Sequence, residues 1–216
     1  DLNPVICNPQ GLHVVDARID YHDVPTSTEY PPRVRHNFFA NHTVALIGAS
    51  NDPNKVGNAI ARNALAFSGK LYLVNTKGGN FEGNPLYRSL GEINDTIDTA
   101  VVTIPSCHVI ETIEELIPKG VKNIIIVSAG FKEIGDTQSE ERLNALAHKH
   151  NLNIIGPNCL GYYESTRNLN LTFGSPTIHK GSLALIAQSG AVLSSLMDKA
   201  AQEGIGFSHI LSAGNM

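Results

Sequence analysis

The feature that most constrains the fold of this chain is a strand–turn–helix pattern at residues 43–65. Residues 44–47 are uniformly apolar, as in a buried strand, and are followed by a turn containing Gly48, Ser50 and Gly57. The helix after this turn is predicted to carry its apolar side on Val56, Ile60, Ala64 and Phe67. A turn of small residues leaves N–H groups free at the helix N-terminus, where the helix dipole also favours a phosphate. The pattern therefore predicts a nucleotide-binding turn.

The kind of nucleotide depends on the loop after the next predicted strand, residues 70–74. A site for NAD has an Asp or Glu there to bind the ribose 2′-hydroxyl, and this loop has none. Lys77 instead places a cation two residues after Asn75. A cation suits a ribose-linked phosphate, either the 3′-phosphate of coenzyme A (CoA) or the 2′-phosphate of NADP. A solvated lysine in a glycine-rich loop is the alternative that the sequence leaves open.

Length and charge limit the possible classes of protein. With 216 residues, the chain can hold one full α/β domain and part of another. A net charge of −4 without a Lys/Arg cluster argues against a nucleic-acid partner, and no apolar run is long enough to cross a bilayer. The cysteines at 7, 107 and 159 are widely spaced and odd in number, which predicts a reducing, cytoplasmic location.

The chain divides into four predicted segments. Residues 1–23 are predicted to form a hairpin in which Val5 and Ile6 pair with Val14 and Val15. The proline-rich residues 24–36 are predicted to be a linker, and the alternating strands and helices of residues 37–165 predict a parallel sheet. A second α/β unit, residues 180–216, has the pattern strand, Gln188-Ser189-Gly190 turn, helix, strand. One such unit is small for a domain, so we expect the chain to be a fragment of a longer protein.

Ligands of parallel sheets bind outside the carboxyl ends of the strands. Further strands are predicted at residues 99–104, 123–127 and 153–155, and the helix after the second of these is predicted to begin with a capping box at Thr137 and Glu140. Small or polar residues follow all five predicted strands, at 48–50, 75–77, 105–106, 128–130 and 158–159. We therefore expect these five loops to line one crevice.

Several motifs resemble the NDP-forming acyl-CoA synthetases, the superfamily of the succinyl-CoA synthetase α subunit and the ADP-forming acetyl-CoA synthetases. FFANHTVALIGASNDPNKVG is similar to the opening of their CoA-binding domain, and TIPSCHV, SAGFKE and GPNCLG are similar to its later strand ends. QSGA and SAGN resemble the start of their second domain. The resemblance implies a Rossmann-like CoA-binding domain followed by the start of a flavodoxin-like domain of the succinyl-CoA-synthetase type.

The resemblance also implies roles for individual residues. Gly48, Ser50, Lys55 and Gly57 would approach the CoA phosphates, Asn75 and Lys77 the nucleotide end, Pro105 the pantetheine, and Asn158 and Cys159 the thiol. Ser189 and Gly190 would donate N–H groups to a phosphoryl group. Two alternatives stay open: Cys159 as a small buried apolar residue, and Lys55 as a solvated side chain.

The first predicted segment resembles the carboxyl end of an ATP-grasp domain, in which Asn3 and Asp16 would bind the magnesium ion of ATP. Turn residues in an ordinary hairpin are the alternative. In fused acetyl-CoA synthetases this domain usually follows the CoA-binding domain, so we expect a rearranged fusion or a piece cut from a larger polypeptide.

The implied reaction joins a carboxylic acid to CoA through an acyl phosphate and a phosphohistidine. No histidine here lies in a matching motif, so the catalytic histidine is expected downstream and the chain alone is expected to be inactive. The implied partners are a small carboxylic acid or acyl-CoA, the rest of an ATP-grasp domain or subunit, and other copies in an oligomer, without nucleic acid or membrane. Alternative functions are a CoA-sensing region of a protein lysine acetyltransferase and an NADP-dependent oxidoreductase.

Overall fold

The computed structural model describes residues 5–8, 11–14 and 42–215, in two compact units. In the first unit, strands β1 (Val5–Asn8) and β2 (Gly11–Val14) form an antiparallel hairpin. Val5 pairs with Val14 as predicted, whereas Ile6 pairs with His13 and not with Val15, because an antiparallel register runs in opposite directions along the two strands. The predicted linker 24–36 lies outside the described residues.

The second unit contains two sheets and four α-helices in its described part. The strands of the first sheet are β3 (Thr43–Ile47), β4 (Lys70–Val74), β5 (Gly79–Phe81), β6 (Asn84–Tyr87), β7 (Thr99–Val102), β8 (Asn123–Ile126) and β9 (Asn153–Ile155). The helices are α1 (Val56–Ala64), α2 (Val109–Leu116), α3 (Thr137–His150) and α4 (Gly190–Glu203). The strands of the second sheet are β10 (Tyr162–Glu164), β11 (Leu169–Asn170), β12 (Lys180–Ala187) and β13 (Phe207–Ser212).

The first sheet has the strand order β5-β6-β4-β3-β7-β8-β9, and all its neighbouring strands are parallel except β5 and β6. After β3 the chain builds outward through β4 and β6, and it then returns to add β7 on the opposite side of β3. The order therefore reverses at β3 and β7, which is where doubly wound folds bind their ligands. The predicted α/β class with a parallel, Rossmann-like sheet is confirmed.

Apolar side chains cover both faces of this sheet. The cluster on one face includes Ile113 and Leu116 of α2 and Leu143 of α3. The cluster on the other face includes Ile60 of α1 and, from the second sheet, Tyr162. Strands β7 and β8 are buried along their whole length, as parallel strands covered on both faces should be.

The second sheet combines strands from both predicted α/β segments. Its order is β11-β10-β13-β12, with β12 and β13 parallel and β10 antiparallel to β13. A third cluster, which includes Leu193 and Met197 of α4, packs beside this sheet. Strands β10 and β11 were not predicted, because segments of three and two residues show no periodicity.

Two local predictions are wrong. Val56 was expected on the apolar side of its helix, but this first residue of α1 is 40% exposed. The predicted capping box at Thr137 and Glu140 is replaced by Asp136, whose carboxylate accepts the Ser139 N–H at 3.1 Å. Asp is as good an N-cap residue as Ser or Thr, so the helix begins one residue after it.

Gly57 allows α1 to start against the turn after β3. A Cβ atom on residue 57 would lie 2.0 Å from the Gly48 carbonyl oxygen, a backbone atom that cannot rotate away. We expect Gly57→Ala to lower the free energy of unfolding by about 1–3 kcal/mol, the usual cost of overpacking. Urea denaturation measures this change, and Gly91→Ala, where the new Cβ would meet only ordinary contacts, is the control. Equal losses in the two variants would contradict the steric argument.

Candidate functional site

The candidate site lies at the carboxyl edge of the first sheet. Strands β3, β4 and β8 are followed within two positions by Gly48, Asn75 and Ser128, respectively. Strand β9 is followed by the loop that contains Asn158. Hydrogen bonds join neighbouring loops, since Asn75 Nδ2 donates to the Ala49 carbonyl at 2.5 Å and the Asn158 N–H donates to the Ser128 carbonyl at 3.0 Å. Because β3, β4, β7, β8 and β9 are all parallel, the five loops that follow them lie along one edge, as the sequence predicts.

The turn after β3 has backbone features that favour an anion such as phosphate. Gly48 has φ +97°, and a Cβ there would lie 2.5 Å from Thr103 Oγ1, so only glycine fits. Lys55 is the N-cap residue of α1 without a side-chain cap, and the first turn of the helix contains no acidic residue. Uncapped N–H groups and the helix dipole therefore favour an anion at this end of α1.

Ser50 and Asn58 hold the turn in place. The Ser50 hydroxyl accepts the Asp52 N–H at 3.1 Å, and the Ser50 carbonyl accepts Asn58 Nδ2 at 2.8 Å. Asn58 is buried. Its role in holding the turn was not predicted, because a single Asn in a helix belongs to no recognisable motif. Lys55 is exposed beside this turn, so its side chain can reach solvent or a ligand.

Asn75 connects the second loop to the first. Its Oδ1 accepts the Lys77 N–H at 2.9 Å, while its Nδ2 holds the Ala49 carbonyl. This Asx turn fixes the backbone of the glycine-rich loop and leaves the Lys77 side chain exposed. Pro105 is also exposed, at the start of a short 3₁₀ helix, Ser106–His108, that leads into α2.

Cys159 and Asn158 have different surroundings. The Cys159 side chain is 3% exposed and its thiol donates to the Ile126 carbonyl at 3.2 Å. Burial raises the pKa of this thiol to about 12, so it stays protonated and unreactive at neutral pH. Asn158 is exposed on the loop. The structure thus favours the buried, apolar role for Cys159 and leaves Asn158 as the residue that faces solvent.

The loops after the strands of the second sheet lie close to the loop that follows β9. Ser189 caps α4 by accepting the Val192 N–H, and a Cβ on Gly190 would lie 3.3 Å from Leu160 Cβ. Beyond β13, the Asn215 N–H donates to the Pro157 carbonyl at 2.9 Å. The loops after β9, β12 and β13 are therefore neighbours, and Ser189 remains exposed.

Glu133 joins the loops of the two sheets. One carboxylate oxygen accepts the N–H groups of Gly130 and Phe131, and the other accepts Asn215 Nδ2 at 2.5 Å. Burial by itself would raise the pKa of Glu133, but the donors, led by the Gly130 N–H, outweigh it and lower the pKa. This contact was not predicted, although Glu133 lies in the motif SAGFKE and Asn215 in the motif SAGN.

Asn3 and Asp16, the predicted magnesium ligands, lie outside the described residues. Within residues 42–215 and the two short strands before them, no three His, Cys, Asp or Glu side chains are grouped closely enough to hold a metal ion. No helix in the described part of the chain is long and apolar enough to span a membrane.

Comparison with known families and proteins decides the classification. Residues 42–164 match the family described as "CoA binding domain", and residues 180–216 match the "Succinyl-CoA ligase like flavodoxin domain". The chain belongs to the CoA-binding domain family. Its predicted relationship to the NDP-forming acyl-CoA synthetases is confirmed.

This CoA-binding domain protein is similar to proteins named as ADP-forming acetate–CoA ligases. It is 43% identical over 173 residues to an ADP-forming acetate–CoA ligase of Methanocaldococcus jannaschii, a match covering 80% of this chain and 25% of that protein. It is 41% identical over 182 residues to the alpha subunit of the ADP-forming acetate–CoA ligase II of Pyrococcus furiosus, covering 83% and 40%. The matched part of the chain therefore spans less than half the length of each of these relatives.

A solved structure has the same fold. The dinucleotide-forming acetyl-CoA synthetase 1 of Ca. Korarchaeum cryptofilum, in complex with phosphate and ADP, matches with a TM-score of 0.77 and 38% identity. The match covers 80% of this chain and 38% of that one.

The lowered pKa of Glu133 makes a prediction about pH. A carboxylate with a lowered pKa in the folded state stabilises the fold fully above its unfolded pKa, and this stabilisation is lost as pH falls through the folded value. We expect Glu133→Gln to be less stable than the unmodified chain at pH 7, with the gap closing below pH 4.5, the ordinary Glu pKa. Urea unfolding between pH 7 and pH 3 measures the gap. The exposed Glu141→Gln on α3 is the control, and a gap that does not change with pH would refute the role of the charge.

Proposed function

We propose that this chain is the CoA-binding portion of an ADP-forming acyl-CoA synthetase. The observation that carries the proposal is the turn between β3 and α1, where Gly48 and Gly57 leave no room for side chains and α1 presents an uncapped N-terminus. Such a turn suits the pyrophosphate of CoA, because the backbone can approach it closely and the helix dipole favours its charge. The match of residues 42–164 to the CoA-binding family supports this ligand over NAD or NADP.

We further propose how CoA lies along the edge. Gly48, Ser50, Lys55 and Gly57 bind the pyrophosphate, and Asn75 and Lys77 face the adenosine end with its 3′-phosphate. Pro105 lines the pantetheine path, and Asn158 lies near the thiol. Cys159 contributes through its backbone, since its thiol is buried and bonded to Ile126. Ser189 and Gly190, at the N-terminus of α4, bind a phosphoryl group.

The activity of the whole protein is part of the proposal. The relatives named as ADP-forming CoA ligases support a reaction that joins a carboxylic acid to CoA. We propose that the whole protein uses ATP and Mg²⁺ for this reaction and works in the cytoplasm. Two relatives are named as alpha subunits, which supports a partner subunit or domain that carries the ATP site. ATP would supply the phosphoryl group and Mg²⁺ would neutralise charge on its phosphates, while the residues of this chain hold CoA and position its thiol.

The preference for CoA over NAD follows from the loop after β4, which lacks an acid for the ribose 2′-hydroxyl. We expect isothermal titration calorimetry to detect CoA binding to this chain and no NAD binding under the same conditions. NADP is the control, because it also carries a ribose phosphate. Micromolar binding of NAD without a signal from CoA would overturn the proposed function.

The charge of Lys77 is expected to act on the 3′-phosphate alone. Lys77→Glu should weaken CoA binding by about tenfold or more, because a like charge replaces a charge-assisted hydrogen bond worth about 1.5–3 kcal/mol. Binding of 3′-dephospho-CoA should change little, since it lacks the group concerned. Titration of both ligands into both proteins measures the difference, and an equal loss for the two ligands would remove Lys77 from this role.

A further inference from the structure

Arg88 follows β6, a strand that was not predicted and that lies next to β4. Val74 pairs with Tyr87 in this parallel register, and the Asn75 N–H donates to the Tyr87 carbonyl at 2.8 Å. Residue 88 therefore leaves the sheet at the same edge as the loop that carries Lys77.

The Arg88 side chain lies across the backbone of Gly78. A Cβ atom on residue 78 would be 2.7 Å from Arg88 Cγ and 2.9 Å from Arg88 Nε. Gly78 has φ +62° and directly follows Lys77. The aliphatic part of Arg88 thus packs on the glycine-rich loop, which holds its guanidinium group beside the Lys77 segment.

Neither Lys77 nor Arg88 forms an ion pair within the described part of the chain. The ion pairs found there join Arg62 with Glu82, Lys70 with Asp95 and Lys199 with Glu203. The nearby Glu92 accepts the backbone N–H of Arg88 at 2.9 Å, so this carboxylate is engaged by the main chain. Two exposed cations that form no ion pair with a described residue therefore lie on adjoining loops at the site edge, with Arg88 packed on the residue that follows Lys77.

We propose that Arg88, together with Lys77, binds the ribose 3′-phosphate of CoA and makes the site select CoA over 3′-dephospho-CoA. This inference rests on the proposed function. A phosphate monoester carries a charge of about −1.5 to −2 at pH 7, which one lysine cannot balance. A guanidinium adds a planar pair of donors that matches two phosphate oxygens, whereas lysine acts as a point charge.

The test compares binding of CoA and 3′-dephospho-CoA by isothermal titration calorimetry in the unmodified chain and in Arg88→Gln. Glutamine keeps part of the stem that covers Gly78 and removes the charge. We expect the ratio of the two affinities to fall by about tenfold in Arg88→Gln, with the affinity for 3′-dephospho-CoA unchanged. Arg88→Lys should give an intermediate ratio of affinities, because it keeps the charge and loses the planar pair of donors.

Arg142→Gln is the matched control, since it removes the same charge from an exposed position on α3. Its affinity ratio should equal that of the unmodified chain. An unchanged ratio in Arg88→Gln would overturn this inference and leave the proposed function intact. An equal loss for both ligands would also overturn it, because it would indicate contact with the adenine. Failure of the unmodified chain to bind CoA would overturn the proposed function itself.

Discussion

The close contact between the first turn of α1 and the carbonyl of Gly48 determines how the rest of the unit is arranged. Because Gly57 has no Cβ, α1 can begin directly against the end of β3. From that start, Ile60 and Ala64 reach the face of the first sheet, where they pack in the same cluster as Tyr162 of the second sheet. One backbone contact therefore sets both the anion-binding end of the helix and the surface that receives the second sheet.

The two sheets also meet at their loops, and this second contact is polar. Glu133 gathers N–H groups from its own loop and the amide of Asn215, while Asn215 in turn bonds to Pro157. A half-buried carboxylate is stable there because its donors compensate for the water it loses. The apolar contact fixes how the sheets pack, and the polar contact fixes how the loops of the candidate site face one another.

Sequence patterns predicted the parts of the fold that depend on local chemistry. The strands that became β3, β4, β7, β8 and β9 are apolar runs that end in small or polar residues, so their positions and the shared loop edge could be predicted. Strand β6 was missed because Asn84 and Pro85 are typical of turns, and its place beside β4 depends on tertiary pairing. Arg88 and Glu133 were missed for the same reason, since nothing near them in sequence shows what they contact. The burial of Cys159 and the exposure of Val56 likewise depend on packing partners that are distant in the chain.

Because β10 pairs with β13, the segments that match known families do not coincide with the two sheets of this chain. Residues 42–164 and 180–216 match two different families, yet β10 comes from the first segment and forms the second sheet with strands of the other. A chimera joined between these segments would separate Tyr162 and Glu164 from their strand partners, Leu211 and His209. An exchange of either segment between relatives would therefore require compatible surfaces on both sides of the junction.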